Sequence, residues 1–150
     1  MTLQEFLVKA KVNTYASVDG GDEKNLEDGS RELFYEEGEW KYRDRYFGSN
    51  RFIGEEIVWK DEKVFWAMNY YGGITADPIS SEKIYGFLKK SLRQVKKDRP
   101  FRGPLEFTEG DWAYYDESEG TIDGFEGQER ILYHGERVYE LKYHGGTVKK

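Results

Sequence analysis

Four acids carry the first chemical question in this sequence: Asp44 and Glu56 in one stretch, Asp116 and Glu129 in another. Strand alternation sets Trp40, Tyr42 and Asp44 on one face, and Lys41, Arg43 and Arg45 on the other. An acid that faces a core must be paired or hydrogen-bonded, or its pKa rises and it takes up a proton. Gathered together, such acids would hold a polar ligand or work as acid and base. The plainer reading has them bonded to Tyr or Trp side chains, or placed at strand ends in water.

A second group lies on the opposite strand face. Asn69 and Tyr71 fall where a later stretch has Lys142 and His144, so similar frames carry different functional groups. His144 is an acid/base or ligand-contact candidate, and equally a strand-end residue in solvent. The candidate ligand-binding set is therefore Tyr42, Asp44, Glu56, Asn69, Tyr71, Tyr114, Asp116, Glu129 and His144. No catalytic residue, metal ligand or cofactor is assigned. The chain has no Gly-rich phosphate loop, no serine-nucleophile elbow and no metal-binding His pair. With no Cys and two His, disulfides, thiol chemistry and a multi-His metal site are excluded.

The elements that must position these residues appear twice. Leu33, Glu37, Gly38, Trp40, Tyr42 and Asp44 recur 72 positions later as Leu105, Glu109, Gly110, Trp112, Tyr114 and Asp116. After one inserted residue, Phe52, Gly54, Glu56, Tyr70, Gly72 and Gly73 recur as Phe125, Gly127, Glu129, Tyr143, Gly145 and Gly146. Two copies of this length predict one domain over 1–150, with repeats of about 1–75 and 80–148 and pseudo-twofold symmetry.

Each copy starts with a helix. Thr2 and Glu5 form a capping-box pattern ahead of the stripe Leu3, Phe6, Leu7 and Ala10, with Lys9 and Lys11 near the helix end. Ser80 or Ser81 caps the second, whose stripe is Ile84, Phe87, Leu88, Leu92 and Val95, ending at Pro100. Each is followed by four antiparallel strands: about 33–36, 39–46, 52–60 and 63–71, then 104–108, 111–117, 125–133 and 136–144. The fold class is α+β, with the meanders forming one curved sheet or a partly closed barrel packed on two helices. The Gly/Asp-rich stretch of about 13–30 is expected to be a flexible loop.

The run Lys89, Lys90, Arg93, Lys96, Lys97, Arg99 and Arg102 is expected on the outer face of the second helix, in water. A net charge of −6 disfavours a nucleic-acid surface, and no apolar run is long enough for a membrane span. The start of the chain lacks a secretion signal, so a cytoplasmic location is expected.

Tyr46-Phe47-Gly48 leading to Phe52-Ile53-Gly54-Glu55-Glu56, together with Met68-Asn69-Tyr70-Tyr71-Gly72, Pro100-Phe101-Arg102-Gly103-Pro104 and Tyr143-His144-Gly145-Gly146, resembles a family of uncharacterised bacterial and archaeal proteins. In that family the domain stands alone or follows an XRE-type helix-turn-helix. The resemblance supplies no activity and no catalytic residues. The expected function is a non-catalytic module, possible in a regulatory setting, that binds a small molecule or a protein as monomer or homodimer. The alternatives are a hydrolase or isomerase using the inward carboxylates and, last, RNA binding through the basic second helix.

Overall fold

The computed structural model describes residues 1–76 and 79–149. Helix α1 spans Leu3–Asn13, and its capping box forms as expected: Glu5 N–H donates to Thr2 Oγ1 and Thr2 N–H to Glu5 Oε2, each at 3.2 Å. The short strand β1 (Lys24–Asn25) follows, then β2 (Arg31–Glu37), β3 (Trp40–Gly48), β4 (Phe52–Lys60) and β5 (Lys63–Ile74). Helix α2 (Ser81–Leu92) leads into β6 (Glu106–Glu109), β7 (Trp112–Thr121), β8 (Gly124–Tyr133) and β9 (Glu136–Thr147).

The nine strands make one open antiparallel sheet in the order β1-β2-β3-β4-β5-β9-β8-β7-β6. It does not close into a barrel, and β1 and β6 are its edges. At the centre β5 pairs with β9, with Tyr70 opposite Tyr143. Hairpin turns at Asp61-Glu62 and His134-Gly135 place both central residues at positive φ, the geometry that matches the twist of the flanking strands.

Both helices lie on one face of the sheet. Phe6 of α1 stacks on Trp40, with ring centroids 5.6 Å apart, and lies against Tyr35 at 5.9 Å. Phe87 of α2 stacks on Trp112 at 5.1 Å and on Phe107 at 5.7 Å. These aromatic anchors fix the depth at which each helix rides over the sheet. None of the helices among the described residues is long and apolar enough to cross a membrane.

Three sequence expectations need correction. Helix α2 ends at Leu92, well before Pro100; Val95 packs into the core from a turn, and Lys96 bridges to Arg99. The first half of the chain has a further strand, β1, paired with β2 through Lys24 and Asn25. The third concerns three cations that turn inward, and these build the site.

Candidate ligand-binding site

Alternation on β3, β4, β7 and β8 sends four carboxyls to the helix-covered face. Asp44 is the cross-strand partner of Glu56, and Asp116 that of Glu129. All four are buried, none exposing more than 2% of its surface. Each acquires partners, because an isolated buried charge would cost several kcal/mol.

Lys11 is one of them. It sits on the inner side of α1, fully buried, with Nζ 2.9 Å from Glu56 Oε1, and it also donates to the Phe101 carbonyl. Burial pushes its pKa down, and the Glu56 charge opposes that shift. Its place near the helix C-terminus is therefore an interior ion pair, not a solvated complement to the helix dipole. Arg102 is the second: its Nη2 lies 2.7 Å from Glu129 Oε1 and its guanidinium covers the Tyr15 and Tyr70 rings at 5.3 and 5.2 Å. Glu129 also accepts the hydroxyls of Tyr114 (2.5 Å) and Tyr139 (2.6 Å). Arg99 is the third, with Nη1 3.7 Å from Asp116 Oδ2. Of the basic run expected in water, Arg99 and Arg102 thus face the interior, because the chain leaves α2 early and folds back across the sheet. Lys90 stays outside and pairs with Glu109 at 2.7 Å.

Two tyrosines reach their acids across a glycine. Tyr70 Oη donates to Asp44 Oδ1 and Tyr143 Oη to Asp116 Oδ1. Gly54 and Gly127 stand opposite these tyrosines in the ladder. A Cβ at either glycine would overlap the tyrosine ring or hydroxyl, so only Gly lets the ring lie flat over the neighbouring strand.

The first set of partners is less complete than the second. Tyr114 bonds Glu129 Oε2, whereas Tyr42 Oη and Glu56 Oε2, both buried and near enough for Glu56 to raise the Tyr42 hydroxyl's pKa, make no well-formed hydrogen bond. Tyr15 Oη is also buried and unpaired. Among the described residues no ion pair reaches Asp44, and its Oδ2 takes part in no hydrogen bond with them. Burial, then the Glu56 charge, pushes the Asp44 carboxyl up to about 7. Asp116 is likewise pushed up to about 7 by burial and then Glu129.

A cavity of about 260 Å³ opens beside Asp44. Tyr15, Phe52, Tyr70 and Arg102 form its inner wall with Asp44, while Tyr85, Leu88 and Leu92 of α2 close one side. Gly20 and Glu23 bring the segment after α1 to its rim, so that stretch contributes directly to the site.

A profile for a domain of unknown function, DUF5680, matches residues 44–148. The chain belongs to this family. The DUF5680 match begins at Asp44 and takes in both acid pairs, Arg102 and the cavity wall from Phe52 to Leu92; Lys11 and Tyr15 lie before it. No curated protein and no solved structure matches the chain.

The candidate residues divide between the two faces of the sheet. Tyr42, Asp44, Glu56, Tyr114, Asp116 and Glu129 come together in the interior. Asn69, Tyr71 and His144 line a separate groove of about 680 Å³ on the outer face, and all three are exposed. Sequence reasoning missed Lys11, Tyr15 and Arg102. For Lys11 the signal was present, since its position continues the inner stripe Leu7–Ala10 of α1.

Proposed function

We propose that this domain is a binding module for a small organic ligand, seated in the cavity beside Asp44. The observation that carries this reading is a buried acid with an unused oxygen on the wall of a concave space where five aromatic rings meet charged side chains. Few convergent polar groups among aromatic walls are the usual make-up of a ligand site. Sites for drug-sized molecules run to about 300–1,000 Å³; at about 260 Å³ this one suits something smaller. Because its walls come from the tail of α1, the sheet and α2, occupancy would tie three chain segments together, which is what a regulatory sensor requires.

We read the architecture behind this as a duplicated helix-and-meander unit. Phe6 with Tyr35 and Trp40 matches Phe87 with Phe107 and Trp112, and Asp44–Tyr70 matches Asp116–Tyr143. One copy has its interior filled and the other has kept a space.

The test is a thermal-shift screen of a metabolite library on the wild-type chain and on Leu88→Phe, which fills the cavity from α2. The expected result is one or more compounds that raise the wild-type Tm and lose that effect in the variant, since ligands of the native state raise the midpoint. No active compound, or equal shifts in both proteins, overturns the reading.

A further inference from the structure

We propose that the cavity takes a small planar cation, such as an aromatic amidine, an arylguanidine or a protonated amino-heterocycle, with its N–H donors on Asp44 Oδ2 and its ring against Phe52. This rests on the reading of the cavity as a ligand site.

The chain's second half displays the chemistry that satisfies such a place. Asp116 uses Oδ1 to accept Tyr143 and Oδ2 to accept the Gly103 N–H at 3.4 Å, with the Arg99 guanidinium 3.7 Å away. Beside it Phe125 carries two stacked rings, Trp66 at 5.7 Å and Phe101 at 4.3 Å. The loop from Arg99 to Gly103 therefore delivers a planar cation, an N–H donor and an aromatic ring to one acid and one phenylalanine.

The first half has the same acid, tyrosine and phenylalanine without that loop. Asp44 accepts Tyr70, and Phe52 carries Tyr139 stacked at 6.5 Å. No second ring stacks on Phe52 among the described residues; Tyr85 meets it edge-on at 6.2 Å, and the remaining space is the cavity. In the sequence alignment of the halves, Gly29 falls where Phe101 stands. Arg31 does not replace Arg99: it donates to the Gly48 carbonyl and lies over the Tyr46 ring at 4.7 Å.

The pairing of the buried acids points the same way. The buried acids Glu56, Glu129 and Asp116 are matched by Lys11, Arg102 and Arg99, which leaves Asp44 as the acid lacking a cation of its own. The lining also holds three cations: Arg102 is engaged by Glu129, Arg31 donates to the Gly48 carbonyl, and Lys89 shares the rim with Glu23. A cationic N–H on a carboxylate oxygen makes a charge-assisted hydrogen bond, about twice as strong as a neutral one, and a flat ring gains further from stacking.

The proton on Asp44 gives the proposal a second readout. Its carboxyl faces Glu56 on β4, Tyr70 on β5, Tyr42 and Tyr46 on β3, Lys11 and Tyr15 from α1 and its tail, and Arg102 from the loop, with Glu23, Arg31 and Lys89 around the rim. Since this setting raises the carboxyl to about 7, a cation must displace a proton to bind below that pH. Affinity for a cation then rises about tenfold per pH unit up to about 7 and levels off above it.

The experiment titrates the full chain with benzamidinium and, as the isosteric anion, benzoate, by calorimetry at pH 5, 6, 7 and 8. Expected are at least tenfold tighter binding of benzamidinium, an affinity that climbs to pH 7, and at least a tenfold loss in Asp44→Asn. Should the variant not fold, the cation–anion comparison and the pH profile on wild type decide alone. Preferential binding of benzoate, or benzamidinium binding with no pH dependence, overturns the cation assignment while leaving the cavity a ligand site. If neither probe binds although library compounds do, the assignment also fails; if nothing binds at all, the ligand-site reading fails with it.

Discussion

Tyr70 Oη lies 2.5 Å from Asp44 Oδ1, reaching it across the bare backbone of Gly54. Burial and the Asp44 charge both push the Tyr70 hydroxyl well above its ordinary pKa, so it remains a donor over the whole accessible pH range. The bond uses one carboxyl oxygen and leaves the other without a hydrogen bond among the described residues, in an acid that lines the cavity. Position and availability of Asp44 follow from this contact; its protonation is set against it, by burial and the Glu56 charge.

Gly54→Ala is expected to displace the tyrosine ring and to destabilise by about 1–3 kcal/mol through overpacking. Tyr70→Phe removes the donor alone and is expected to cost about 1–3 kcal/mol, as for a buried acceptor left unpaired. Urea denaturation measures both, and a double variant should cost less than the sum because the two changes act on one contact.

Stability should fall as pH rises from about 4.5 to 6.5. Asp44 and Asp116 have folded-state pKa values raised from the ordinary carboxylate range to about 7, so within this window the folded chain holds protons that the unfolded chain has released. The stability they contribute is complete below the unfolded value and is lost as pH climbs through the folded one. Each acid contributes a slope of about 1.4 kcal/mol per pH unit. Denaturation at half-unit steps checks this, and Asp44→Asn with Asp116→Asn should flatten the curve.

Removing one partner of the Lys11–Glu56 pair should be far worse than removing both. Lys11→Met strands a buried carboxylate, at an expected cost of about 3–5 kcal/mol. Lys11→Met with Glu56→Gln takes away the stranded charge and should recover most of that loss. Equal costs for the single and double variants, by chemical denaturation, would mean that the pair is not buried together.

Much of the fold could be read from residue order because its signals are local. Alternation at Trp40, Tyr42 and Asp44 requires only neighbouring residues, as does the capping box at Thr2 and Glu5. The inward acids could be read for the same reason. What stayed hidden depends on tertiary return of the chain. Nothing local distinguishes Arg102, which crosses to Glu129, from Lys90, which stays in water. Tyr15 sat in a stretch expected to be a flexible loop, and only the packing of α1 brings it to the cavity wall. The split of Asn69, Tyr71 and His144 from the acids follows directly from strand alternation.

The central claim, a ligand cavity beside Asp44 on the helix-covered face, is tested most directly by two-dimensional NMR of the labelled chain during titration with a stabilising compound. The account predicts shifts concentrated at Tyr15, Asp44, Phe52, Tyr85 and Leu88, which surround the cavity. Shifts concentrated instead at Asn69, Tyr71 and His144 in the outer groove would contradict it.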